Sequence, residues 1–163
     1  MTGRSSATIA LYLGLAAFAL ILGALGFQYF GRLPPCEMCM WQRYPHIAAG
    51  IVGVGGFLLL RAEIFPNRAG YAIAILTALL IAVSGAIGVY HAGVEWHFWA
   101  GPQACAGSAF HISGSLDLNA PVVMCDHAQW RLFGLSLAGY NAILSFALAA
   151  TGLTLAARNR RSP

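Results

Sequence analysis

Four long apolar runs constrain this chain more than any other feature of its sequence. Ile9–Phe27 carries no charge and has about the length that crosses a ~30 Å hydrocarbon core as a helix. Tyr44–Leu60, Ala69–His91 and Leu132–Ala157 are further runs, set off by arginines and short polar turns. The reading is an all-α membrane protein, a four-transmembrane-helix bundle forming a single membrane domain over residues 1–163. Spans are expected near 9–27, 44–60, 69–91 and 132–157, with two outer loops near 28–43 and 92–131. Composition agrees, being 59% hydrophobic and only 9% charged, where a soluble domain carries about a quarter charged residues. Arg4 gives the first run the basic start of a signal peptide. That run is long for one, and no small-x-small cleavage site followed by a polar chain comes after it. A retained span is expected.

Arginine placement orients the bundle. All nine basic residues are Arg. Arg4, Arg61, Arg68, Arg158, Arg160 and Arg161 fall on one side of the expected spans, and Arg32, Arg43 and Arg131 on the other. The positive-inside rule makes the richer side cytoplasmic. Both termini are then cytoplasmic, and both cysteine-bearing loops lie outside, in the periplasm of a bacterium. The arginines form no continuous patch, which argues against a nucleic-acid partner. Ala49/Gly53, Ala82/Ala86 and Ser84/Gly88 are small residues four apart that let helices approach closely. Trp96, Phe98 and Trp99 read as interfacial aromatics.

The chemistry concentrates in the cysteines. Cys36 and Cys39 form a Cys-x-x-Cys pair between the first two spans, and Cys105 and Cys125 lie in the second outer loop. Outside the cytoplasm disulfides persist, so two structural bridges are one reading. Exchangeable disulfides passing electrons in series are the other. The short Cys-x-x-Cys ring favours the second, because structural bridges rarely use it and thiolates at such motifs are often stabilised. A zinc site would want a second closely spaced pair, and Cys105 and Cys125 are twenty positions apart. His111 and His127 could complete a tetrahedral set, but the spacing weighs against zinc and no metal is expected.

Arg43 lies at the mouth of the second span. It either snorkels to the interface or, if the helix has begun by Cys39, stands one turn from that sulfur on the same face. There it would favour a thiolate and donate to a carbonyl ligand. Pro45 is expected near the helix start, where its missing N–H matters least. His91 ends the third span, where the helix dipole alone would account for it. His46 and His91 both sit at span ends, which argues against a haem held between facing spans. His97, His111 and His127 read as interfacial or solvated.

Taken together, Pro35-Cys36-Glu37-Met38-Cys39 running to Arg43, Tyr90-His91, Cys125-Asp126-His127-Ala128-Gln129-Trp130 and Phe133-Gly134-Leu135 resemble the DsbB family of bacterial inner-membrane proteins. The resemblance covers nearly the whole chain. It implies a quinone-linked thiol oxidase that reoxidises a periplasmic DsbA-like, thioredoxin-fold protein. By that resemblance Cys36 pairs with Cys39 and Cys105 with Cys125, and Cys105 takes the attack of the partner's thiolate. Exchange with the Cys36–Cys39 bridge then moves the electron pair inward. Cys39 would face ubiquinone or menaquinone, with Arg43 polarising its carbonyl and His91 lining the same pocket. Gln42 departs from the family, some members of which carry an acid there.

A DsbA-like protein has a potential near about −120 mV, so only a strong oxidant can reoxidise it, and a lipid-soluble quinone fits that need. Two other functions stay open on the sequence. One is a non-enzymatic membrane scaffold with structural disulfides, and the other is a thiol carrier running in the reductive direction.

Overall fold

The computed structural model describes residues 2–102 and 123–161. Four helices are long and apolar enough to cross a membrane. They begin with α1 (Thr2–Tyr29). The second is one continuous rod built from α2 (Glu37–Gly50), a π-helical turn (Ile51–Gly55) and α3 (Gly56–Arg61). α4 (Ala69–Glu95) is the third, and α5 (Leu137–Arg161) closes the bundle. α4 packs against α1, α2 and α5. Leu22, Ile51 and Val83 stay exposed, as apolar side chains facing lipid do.

Small residues set the close crossings. A side chain added at Gly53 would collide with the Ala10 carbonyl, and one added at Gly14 would lie 2.9 Å from the Val54 nitrogen. Backbones of α1 and the π-helical turn therefore touch, the arrangement that small residues permit in lipid. Gly88 meets α5 in the same way, 3.0 Å from the Ala138 carbonyl. Ala49 is fully buried in the core beside Leu13, Ala17, Ala78 and Ile81. Ala86 is exposed, so the expected Ala82/Ala86 contact does not form.

Helix limits differ from the sequence reading in ways that shape the site. The second helix starts at Glu37, well before Tyr44. Pro34-Pro35 hold the preceding chain extended. Cys36 then caps the helix, its backbone at φ −78° and ψ 172° and its sulfur accepting from the Cys39 N–H at 3.2 Å. Glu37 in the first turn complements the helix dipole. Pro45 consequently lies inside the helix and not at its start. Membrane helices tolerate this, because neighbouring groups satisfy the freed backbone.

α4 runs past His91 to Glu95. Gly93, two residues past the expected end of that span, makes room for the Trp99 ring. Trp99 stacks on Tyr90 and donates to its carbonyl at 2.8 Å. The fourth span begins at Leu137 and not at Leu132, because a short hairpin precedes it. Strands β1 (Arg131–Leu132) and β2 (Leu135–Ser136) pair antiparallel. Phe133 and Gly134 between them have φ +49° and +83°, the conformation of a two-residue type I′ turn. Ser136 then caps α5, its hydroxyl accepting from the Gly139 N–H at 3.2 Å.

Candidate active site

Both members of the Cys-x-x-Cys motif sit at the start of α2. Their sulfurs are thiols 2.7 Å apart, outside the ~2.05 Å of a covalent bridge and inside ordinary sulfur contact. Cys36 is buried and Cys39 is half-buried. The Cys36 thiol is pushed well above its ordinary range, first because it donates its proton to the Cys39 sulfur, then by burial. Cys36 keeps the shared proton, and Cys39 is the more exposed sulfur.

Cys125 is disulfide-bonded. It packs in one buried cluster with Cys36, Met38 and Val94, with Cys39 at its edge. The two redox-capable elements of the sequence, sixty or more positions apart in the chain, thus share a single core. Cys105, the expected partner of Cys125, and His111 lie outside the described residues.

His91, at the far end of α4, is buried between these elements. Its Nε2 is 3.6 Å from the Cys36 sulfur and 3.6 Å from Glu95 Oε1, one turn further along the helix. It also bonds the backbone of Cys125. Its Nδ1 contacts Gln42 Nε2 at 2.8 Å. Glu95, which the sequence placed in a loop, is buried and hydrogen-bonds Ser136.

Arg43 is one turn beyond Cys39. Half-buried there, its guanidinium donates to Gln28 Oε1 of α1 at 2.7 Å and approaches the Met40 sulfur at 3.7 Å. Five N–H donors serve few partners here, which leaves several for a ligand.

Cys39, Arg43, His46 and His91 line one cavity of about 420 Å³ between α1, α2, α5 and the end of α4. Its walls are chiefly apolar, from α1 residues such as Leu20 and Ala24 and α5 residues such as Leu144. Leu144 and Phe27 line it and are 46% and 37% exposed, so the cavity reaches the surface that faces acyl chains. His127 lines its upper edge, where its ring meets that of His97 at 6.0 Å.

A scan against family models matches residues 6–155 to disulfide bond formation protein DsbB. The chain belongs to the DsbB family. Two relatives named disulfide bond formation protein B match over most of their lengths. That of Aromatoleum aromaticum is 29% identical over 98% of this chain and 99% of its own. That of Dechloromonas aromatica is 24% identical over 92% of each. No solved structure matches.

Within this DsbB-family chain, sequence reasoning missed Gln28, Gln42 as a contact of His91, Glu95 and Asn141. Asn141 donates to Gln42 Oε1 at 2.9 Å and to the Ser84 carbonyl at 3.2 Å. Its own carbonyl faces His46 Nε2 at 2.9 Å. Asn141 sits in an apolar stretch of the fourth span, and a polar residue inside a membrane helix is costly enough to mark function. That signal was present in the sequence.

Proposed function

We propose that this protein is a quinone-dependent, protein-disulfide-generating oxidase of the bacterial inner membrane. The observation that carries the reading is a dithiol at the edge of a lipid-accessible apolar cavity, with the Cys125 disulfide packed against Cys36. The arginine asymmetry supports an orientation with this end in the periplasm, where a DsbA-like thioredoxin-fold protein would supply electrons.

The relay is a series of balanced exchanges. The partner's thiolate attacks Cys105 of a Cys105–Cys125 disulfide, and Cys125 leaves as a thiolate. The partner's second thiol then closes its own disulfide and releases Cys105, so two thiols replace one bridge. Cys125 attacks Cys36 of an oxidised Cys36–Cys39 pair, and Cys39 leaves as a thiolate. Cys105 reforms the bridge to Cys125 and frees Cys36. The electron pair now resides on Cys36 and Cys39 as two thiols.

The residues present fit a quinone. A cavity of about 420 Å³ is within the range of small-molecule sites, its walls suit a ring and an isoprenoid tail, and Arg43 has donors for a carbonyl oxygen. When bound, a quinone supplies a two-electron, two-proton acceptor. Arg43 orients the ligand against Cys39 and favours negative charge at that edge of the cavity. Closing the Cys36–Cys39 bond would give two electrons to the bound quinone and release two protons, one of them the proton that Cys36 holds. Apolar walls exclude water, which protects the thiolate from side reactions.

The test is turnover of purified full-length protein with a reduced DsbA-like partner and short-chain ubiquinone, followed by loss of quinone absorbance. Menaquinone run in parallel assigns the acceptor. Cys39→Ser is expected to abolish turnover, and full activity in that variant overturns the reading. In the same assay Arg43→Gln should raise KM for quinone about tenfold, the loss of one charge-assisted hydrogen bond, with kcat nearly kept.

A further inference from the structure

Two backbone carbonyls settle the orientation of the buried amides beside the dithiol. The Ser84 carbonyl can only accept, so the Asn141 group 3.2 Å from it is the NH₂. The Met38 carbonyl likewise makes the Gln42 atom at 3.2 Å an NH₂. Gln42 Oε1 is then free to accept from Asn141 at 2.9 Å, and its NH₂ points at His91 Nδ1 at 2.8 Å. An NH₂ donates and cannot accept. His91 Nδ1 therefore carries a lone pair, and the ring proton of the neutral imidazole sits on Nε2, toward Cys36 and Glu95.

The chain of bonds continues in the other direction. Asn141 Oδ1 accepts from His46 Nε2 at 2.9 Å and from Ser145 at 3.1 Å. Ser84 anchors the centre by donating to the Gln42 carbonyl at 2.8 Å. Gln42, Ser84, His46 and Ser145 are all buried, so water does not compete for these partners.

We propose that Gln42 and Asn141 act as positioning residues that lock His91 in the Nε2–H tautomer and so aim a hydrogen-bond donor at the Cys36 sulfur. This rests on the oxidase reading given above. Within that reading, Cys36 must be a thiolate at the moments when it leaves or attacks, and its proton is held tightly by its neighbour. A neutral donor at 3.6 Å can tighten onto the developing charge without bringing a full cation into the core. With Nδ1 unprotonated, the bond that the ring donates to the Cys125 backbone also comes from the Nε2–H, so one proton serves both redox pairs. It also bears on metals. Cys36, Cys39 and His91 place donor atoms within 4.8 Å of one another, but a metal needs the Nε2 lone pair that this tautomer replaces with a proton.

The experiment is nitrogen NMR of the full-length, reduced, quinone-free protein labelled at histidine, with His91→Gln used to assign the signal. Wild type is expected to show an unprotonated Nδ1 and a protonated Nε2. In Gln42→Glu the carboxylate can only accept, so Nδ1 should become protonated. A protonated Nδ1 in wild type, or an unprotonated one in Gln42→Glu, overturns the proposal. Should Gln42→Glu not fold, the wild-type spectrum and Gln42→Leu, which should lose the single tautomer, still decide it. None of these readouts involves turnover, so the lock can fail while the oxidase reading stands, and the reverse.

Discussion

The first helix behaves differently in its two halves. Around Gly14 it lies backbone to backbone against the π-helical turn, and Ala10 and Ala17 beside that contact are fully buried. Around Gly23 and Gly26 a side chain added to the backbone would meet nothing within 4 Å. Glycine thus brings helices together in one half and leaves space in the other. The difference lies in what faces α1. Ala49, Gly53 and Ala78 present a smooth surface to its first half. Facing its second half, Gln42, Ser84, Asn141 and Ser145 spend their polar groups on one another across α2, α4 and α5. α1 joins that half through the Gln28–Arg43 bond and the Phe27–Trp130 ring contact. Lipid gives no hydrophobic drive for helices to associate, so a helix without close packing or polar partners stands away, and the cavity follows.

Substitutions along α1 and its neighbour test that contrast. Gly53→Leu should have the largest effect, because added atoms collide with the Ala10 carbonyl and not with a movable side chain. A loss of about 3 kcal/mol, or no folded protein at all, is expected from overpacking against backbone, read by thermal unfolding in detergent. Normal stability would mean that the two backbones are not in contact. Gly26→Ala should do the opposite and stabilise by about 0.5–1 kcal/mol, since it meets open space in a helix interior. Destabilisation there would show that the second half of α1 is packed after all.

The smallest effect is confined to the dithiol end and to alkaline conditions. Folding raises the Cys36 thiol above its ordinary range, so the folded state holds a proton that the unfolded state releases. That contribution is fully present below an ordinary thiol value of about 8.5 and is lost as pH rises above it. Melting of the reduced protein should therefore fall with pH above about 8.5 more steeply than melting of the protein with Cys36 and Cys39 joined. Parallel curves for the two forms would remove the Cys36–Cys39 hydrogen bond from the account.

Much of this was legible in the chain. The four spans follow from hydropathy, a local property that needs no knowledge of neighbours, and the cysteine spacing identified the dithiol. The start of the second helix was half-legible. Pro34-Pro35 and a capping Cys36 are local signals, but a Pro45 inside the helix pointed the other way until packing outweighed it. Asn141 stood in plain view as a polar residue within a span and lacked only a partner.

Composition, hydropathy and motif were enough by themselves to establish a four-helix membrane protein of the DsbB family with thiols at one end, because each depends on residues near one another in sequence. Only the tertiary structure decided that Gln42 faces His91, that Arg43 turns to Gln28, and that Cys125 packs beside Cys36. Those contacts join residues on different helices and loops, and their geometry depends on how closely α1 can approach the rest. Hydropathy reports that a helix is buried in lipid. It does not report which side chains the helix meets there.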